Sequence, residues 1–136
     1  MKKLKKLLIY SALIACVGIS CKKEDRTTIV FGKVTDEINQ PVKGVEIAIY
    51  GEKGILAARV TRLKNALTDA NGEYTITVEI PKDYHSGDMN IEFQTNNLWE
   101  KYTGGPVYLN GNEIRDCCLV TVGQKSQYDF GLVRKK

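Results

Sequence analysis

Leu67-Thr68-Asp69-Ala70-Asn71-Gly72-Glu73-Tyr74-Thr75-Ile76-Thr77-Val78-Glu79-Ile80 decides the fold class. From Glu73 onward the apolar Tyr74, Ile76, Val78 and Ile80 alternate with Glu73, Thr75, Thr77 and Glu79. Successive strand side chains point to opposite faces, so a period of two describes a strand with one buried and one wet face. The Asp69–Gly72 segment ahead of it is a tight turn, because Asn-Gly adopts positive φ at little steric cost. The segment predicts a hairpin between a strand ending near Thr68 and the strand Glu73–Ile80.

The same period recurs on both sides. Val45, Ile47 and Ile49 alternate with polar or small neighbours, as do Met89, Ile91 and Phe93, then Tyr128, Phe130 and Leu132. Asp36-Glu37-Ile38-Asn39-Gln40-Pro41 separates a strand near Thr28–Thr35 from one near Gly44–Tyr50, and Asn110-Gly111-Asn112 is a second tight turn. No long stretch has a helical period. Short strands at regular spacing, each with one apolar face, predict an all-β, antiparallel β-sandwich. Ala57–Leu67 reads as strand and loop, and Asn96–Tyr108 as a long connection. Hydrophobic residues make up 43% of the chain, enough to exclude a disordered polymer. The folded part is one domain, with no room for two.

Three blocks in this part carry a resemblance: Val30-Phe31-Gly32-Lys33-Val34-Thr35-Asp36, Gln40-Pro41-Val42-Lys43-Gly44-Val45-Glu46-Ile47 and Leu67-Thr68-Asp69-Ala70-Asn71-Gly72-Glu73-Tyr74. In order and spacing they resemble the carboxypeptidase regulatory-like domain, and cover about half of the folded part. The resemblance implies a seven-stranded transthyretin-like, Ig-like sandwich over residues 28–136. It also implies an accessory or binding role, because such domains typically accompany peptidases or outer-membrane transporters. The blocks are mostly turn and core residues, so they speak to fold more than to activity. Gly32 and Gly44 are expected where backbones bend or approach closely.

The N-terminus has a separate reading. Lys2, Lys3, Lys5 and Lys6 precede the apolar run Leu7–Ile19, and no acid comes before Glu24. A basic start, a short apolar run and small residues ahead of a cysteine describe a secretory signal, residues 1–20, expected to be helical and then removed. The run is shorter than the ~20 residues of a spanning helix, which disfavours an uncleaved anchor. The Gly18-Ile19-Ser20-Cys21 segment resembles a bacterial lipobox, which implies a diacylglyceryl group on Cys21. Leu13-Ile14-Ala15-Cys16 matches the lipobox better, yet Cys21 leaves the longer apolar run and stands at the boundary with charged Lys22–Asp25. Cys21 is therefore the expected site, Cys16 its rival, and residues 21–27 a lipidated tether. Lys23-Glu24-Asp25 resembles the export signal that takes lipoproteins to the outer face of the outer membrane in one large Gram-negative phylum.

Charge narrows the partners. The chain carries 20 bases, four of them in the leader, against 16 acids. Past the leader the balance is even, so no nucleic-acid partner is expected, since phosphate binding needs a basic face. The expected partners are the membrane, through the covalent lipid, and a glycan or envelope protein.

Chemistry is sparse. His85 is the single histidine, and hydrolytic triads and zinc sites are built around histidine. Transthyretin-like hydrolases rely on several, so the resemblance does not carry their activity here. Asp83, His85 and Asp88 read as a polar loop after Pro81, and Asp69–Glu73 is too short for a calcium loop. Neither a catalytic residue, a metal nor a cofactor is expected. Cys117 and Cys118 are expected on opposite faces of a strand, Cys118 with Val120 and Val122, which disfavours a bond between them. The ligand-binding candidates are Asn97, Trp99, Tyr102 and Tyr108, aromatic platforms with amide donors suited to a sugar ring or a peptide. The competing reading makes Trp99 a cap on the core.

Overall fold

The computed structural model describes residues 21–54 and 59–136. The signal segment, Cys16 and Ala57–Ala58 lie outside the described residues. The strands are β1 (Thr27–Asp36), β2 (Glu46–Lys53), β3 (Arg59–Leu67), β4 (Glu73–Glu79), β5 (Ser86–Ile91), β6 (Tyr102–Leu109), β7 (Asn112–Ile114), β8 (Leu119–Val120) and β9 (Lys125–Arg134). One short helix, α1 (Leu98–Lys101), precedes β6. A five-stranded sheet runs β4-β1-β9-β6-β7 and a four-stranded sheet runs β3-β2-β5-β8. The all-β sandwich is as the alternation predicts.

In β2, β4, β5 and β9 the inward positions are the predicted ones, with Val78, Ile91 and Phe93 only partly buried. Val30 and Val34 of β1, Ile47 and Ile49 of β2, Tyr74 and Ile76 of β4, Met89 of β5, and Tyr128, Phe130 and Leu132 of β9 form one buried cluster. Removing such side chains from water is the main stabilising term, about 1.5–3 kcal/mol for each large aliphatic. Two buried hydroxyls are satisfied rather than stranded. Thr68 donates to the Val42 carbonyl at 2.7 Å and accepts from the Val45 amide at 2.9 Å. Thr28 donates to the Arg26 carbonyl and accepts from the Gly123 amide.

The structure corrects four expectations. There are nine strands among the described residues, not seven. The sheets are not wholly antiparallel, because β1 and β9 pair in parallel, Ile29 with Lys125 through Asp36 with Leu132. Alternation reports which face a residue occupies, not which strand lies beside it. Asp69–Gly72 is a tight turn closed by the Gly72 amide on the Asp69 carbonyl. The strands it joins do not pair with each other, because β3 bonds to β2 and β4 to β1. The turn therefore carries the chain from one sheet to the other. Finally, the long connection contains β6, whose register with β9 shifts between Gly104 and Val107. Gly104-Gly105-Pro106 makes that bulge and interrupts the period that would have disclosed the strand. The Asn110–Gly111 turn closes the β6–β7 hairpin as read, with φ of 48° and 84°.

At the far end of β1 the Asp36 side chain is fully enclosed. It accepts from the Ile38 and Gln40 amides and from Arg134, at 2.7 Å for the closer guanidinium nitrogen. Burial alone would raise its pKa. The Arg134 bond and the two amides outweigh that and hold it below the ordinary carboxylate value. A carboxylate with a depressed folded pKa contributes stability above its unfolded value of about 3.9, lost as pH falls through the lower folded value. Asp36→Asn is therefore expected to flatten the acid limb of the stability curve below about pH 4, read by denaturant melts from pH 2 to 7. An unchanged acid limb would contradict it.

Candidate functional site

The tether is pinned close to where it begins. Arg26 donates to the Ile80 carbonyl at 2.8 Å and to the Tyr84 carbonyl at 2.6 Å. Cys21 is exposed with a free thiol, and Lys23, Glu24 and Asp25 are exposed beyond it. The Asp25 carboxylate accepts from the Thr27 amide, and that bond lowers its pKa. At no more than ~3.6 Å per residue, the five steps from Cys21 to Arg26 span at most about 18 Å. This end of the sandwich, where Arg26 meets the β4–β5 connection, therefore lies within that reach of Cys21.

Trp99 stands at the opposite end. β1 runs away from the tether, and β9, parallel to it, ends at Arg134 opposite Tyr102. Ten residues at about 3.3 Å each put roughly 30 Å between the two ends. Asn96 and Asn97 both adopt left-handed φ, 54° and 53°, a conformation asparagine tolerates, and so turn the chain into α1. The Trp99 amide then donates to the Phe93 carbonyl at 2.8 Å. Leu98 is buried and seals the core, whereas Trp99 is 50% exposed. The reading of Trp99 as a core cap does not hold, since its neighbour takes that place. The Lys135 ammonium lies 5.8 Å from the Trp99 ring and the Arg134 guanidinium 5.9 Å from the Tyr102 ring.

Of the four ligand candidates, three share this end. Asn97 is exposed beside Trp99, and Tyr102 is half-buried against the core. A groove of about 280 Å³ runs between α1 and the Pro41–Gly44 loop, with Leu98 and Tyr102 on one wall. Tyr108 is elsewhere. The β6 bulge reverses the facing of the strand, and Tyr108 pairs with Asp129 on the outside of the five-stranded sheet.

That outer surface was not singled out from the sequence. The β1–β9 ladder pairs Phe31 with Gln127 and Val34 with Phe130, but opens between them. Side chains replace the lost ladder bonds. The Lys33 amide donates to Asp129 Oδ1 at 2.8 Å, and the Tyr74 hydroxyl donates to the Tyr128 carbonyl at 2.7 Å. Burial, then the nearby Asp129 charge, pushes the Tyr74 pKa far above the ordinary tyrosine value, so it remains a donor. Gln127 Nε2 donates to Asp129 Oδ2 at 2.8 Å. Two hollows lie here, of about 600 Å³ and 310 Å³, and share Thr35 and Asp129. One signal could have found it: Phe31 has the parity of Lys33 and Thr35, not of Val30 and Val34, which puts an aromatic on the wet face of β1.

The remaining candidates resolve into structure. Asp83 pairs with Lys53 at 2.9 Å, Asp88 accepts from the Met89 amide, and His85 is exposed. Asp69 accepts from the Asn71 and Glu73 amides, as a turn residue does. On the four-stranded sheet Glu46 accepts from Thr95, Arg62 and Asn65. The Thr95 bond, against the opposing effect of burial, leads in lowering its pKa. Cys118 and Val120 are buried, Val122 is half-buried and Cys117 is exposed, and the two cysteine sulfurs lie against each other. Both residues precede β8, so strand alternation does not govern them. Among the described residues no helix is long and apolar enough to cross a membrane.

No protein-family model matches the chain, and no curated protein matches it in sequence. Among solved structures, a 9R-lipoxygenase from Cyanothece PCC8801 is similar with a TM-score of 0.40 and 16% identity, over 93% of this chain and 19% of that one. A 3-chlorocatechol 1,2-dioxygenase from Rhodococcus opacus 1CP is similar with a TM-score of 0.48 and 14% identity, over 85% of this chain and 62% of that one. The chain spans about a fifth of the first and under two thirds of the second. Likenesses this slight carry no functional argument.

Proposed function

We propose that the protein is a lipid-anchored, non-catalytic binding or accessory module of the bacterial cell envelope. Its fold is read as a variant of the transthyretin-like carboxypeptidase regulatory-like sandwich, with two short extra strands. Acylated Cys21 holds it on the outer membrane, facing outward, and the Trp99 end takes a glycan or an envelope protein.

One observation carries the reading: the Cys21 tether and the exposed Trp99 occupy opposite ends of β1. An anchor at one end and a half-exposed indole at the other is the layout of a module that presents a binding surface away from the membrane. A large apolar ring left half outside costs hydration free energy that a ligand recovers. Trp99 is the single tryptophan, so its fluorescence reports directly on a ligand at this end. A glycan or envelope protein that shifts this emission is expected to bind Trp99→Ala about tenfold more weakly, the weight of one stacked aromatic, with the melting temperature nearly unchanged. A screen in which every ligand binds both forms alike would contradict this placement.

A second reading, a structural subunit of an outer-membrane complex, draws on β3. This nine-residue strand pairs with β2 on one side, and Val60 and Leu67 on it are 62% and 54% exposed. Sheet edges of this kind accept added strands, although the Arg59, Arg62 and Lys64 charges discourage non-specific pairing. A stoichiometric membrane partner recovered by pull-down from solubilised membranes, and lost when β3 is altered, would favour it.

A further inference from the structure

We infer that the outer face of the five-stranded sheet is a second binding surface, and that its ligand is a neutral oligosaccharide. The inference rests on reading the chain as an exported binding module, but places this ligand away from Trp99.

The surface is built from three adjacent strands. Phe31 comes from β1, Gln127 and Asp129 from β9, and Tyr108 from β6; the pairs Phe31–Gln127 and Asp129–Tyr108 are both in register. Phe31 and Tyr108 thus lie two strands and about two residues apart. With strands about 4.8 Å apart and a rise of ~3.3 Å per residue, their separation is roughly 12 Å. The first and third pyranose rings of an oligosaccharide lie a comparable distance apart, so each aromatic can underlie one of them, with the middle ring over Asp129. Between them the Asp129 carboxylate is already fixed, by the Lys33 amide on one oxygen and Gln127 on the other. Each of those oxygens keeps a further lone pair for a sugar hydroxyl. Because the carboxylate is immobilised before the ligand arrives, little ordering entropy remains to oppose binding. The hollow also offers the hydroxyls of Thr35 and Thr75.

The charge and the backbone both select the ligand. Around Phe31, Lys33 stands opposite Glu73 in the β1–β4 register, and the charge of Lys125, whose ammonium lies 5.0 Å from the Phe31 ring, offsets that of Asp129. A surface balanced in this way has no excess field for an anion or a cation. Both β1 and β9 are interior strands, bonded on each side. Their backbone groups are therefore committed, whereas extended peptides are recognised at a sheet edge. What remains is side-chain recognition of a ring face and its hydroxyls. Stacked aromatics with fixed amide and carboxylate partners do that.

The test uses the detergent-extracted full-length protein on an array of neutral polysaccharides: glucans, mannans, galactans and xylans. At least one is expected to be retained, with Phe31→Ala and Tyr108→Ala each weakening retention about tenfold. Gln127→Leu, which removes the polar group at nearly constant volume, is expected to weaken it as well. Thr61→Ala on the opposite sheet should leave it unchanged, and circular dichroism melts confirm that all four variants fold. Retention of no polysaccharide would overturn the inference. So would retention that persists in all three groove variants; if such retention is lost in Trp99→Ala, the glycan belongs at the other end, and the binding-module reading survives the loss of this site.

Discussion

Gly32→Ala is expected to cost about 3 kcal/mol or more and to lower the melting temperature by at least about 12 °C for a domain of this size. The reason lies at the centre of the five-stranded sheet. β1 and β9 approach so closely at Gly32 that a Cβ built there overlaps the Tyr128 carbonyl oxygen and lies 3.0 Å from Asp129 Oδ1. Neither neighbour can yield. The carbonyl is backbone in an interior strand and holds the Tyr74 hydroxyl, while the carboxylate holds the Lys33 amide. The strands must part, and both replacement bonds across the opened ladder are weakened at once. Leaving a buried donor or acceptor unsatisfied costs about 1–3 kcal/mol per group. Gly104→Ala is the matched control. Its Cβ would have Phe93 at 4.0 Å as nearest neighbour, an ordinary contact, so it should melt within a few degrees of the wild type. A Gly32→Ala protein that melts alongside the Gly104→Ala control would show that the approach of β1 to β9 is misread.

Cys21→Ala is expected to release the protein from membranes almost completely. No helix among the described residues is fit to span a bilayer, and Lys22–Asp25 beside the cysteine are exposed charges with no apolar surface to insert. On the proposed reading, attachment then rests on the lipid. Each buried CH₂ contributes about 0.8 kcal/mol, and while one acyl chain gives only reversible binding, two or more hold stably. Losing the thiol loses all of that at one stroke, so fractionation of cells should move the protein from the membrane pellet to the soluble or unprocessed pool. Cys16→Ala should leave it in the pellet. The opposite pattern would assign the lipid to Cys16, and a pellet that retains both variants would mean that the leader itself anchors the chain.

The fold was legible wherever a strand was long enough to show its period. β2, β4, β5 and β9 were all visible as alternation, β1 from the turn that follows it, and Gly32 and Gly44 were expected at close or bent backbone, where the structure has a near-contact and a φ of 76°. Strands of three and two residues, β7 and β8, carry no measurable period. β6 was hidden by its own bulge at Gly104-Gly105-Pro106. Pairing was less legible than facing: nothing local says that β1 lies parallel to β9, or that the Asp69–Gly72 turn changes sheets. The same limit applies to function. Asn97, Trp99 and Tyr102 are near in sequence, and their shared end could be seen. Phe31, Tyr108, Gln127 and Asp129 are brought together only by strand order, and only the parity of Phe31 hinted that the wet face held an aromatic.

Whether a folded module is lipid-anchored at Cys21 and displayed outside the cell is decided by the intact mass of the membrane-extracted protein, taken before and after protease treatment of whole cells. The expected result is a mass equal to residues 21–136 plus a diacylglyceryl-based lipid, and disappearance of that species when protease is added from outside. A mass that retains the leader, or that begins at Cys16, would contradict the anchor, and a lipidated species that survives external protease on intact cells yet is digested after lysis would contradict the display.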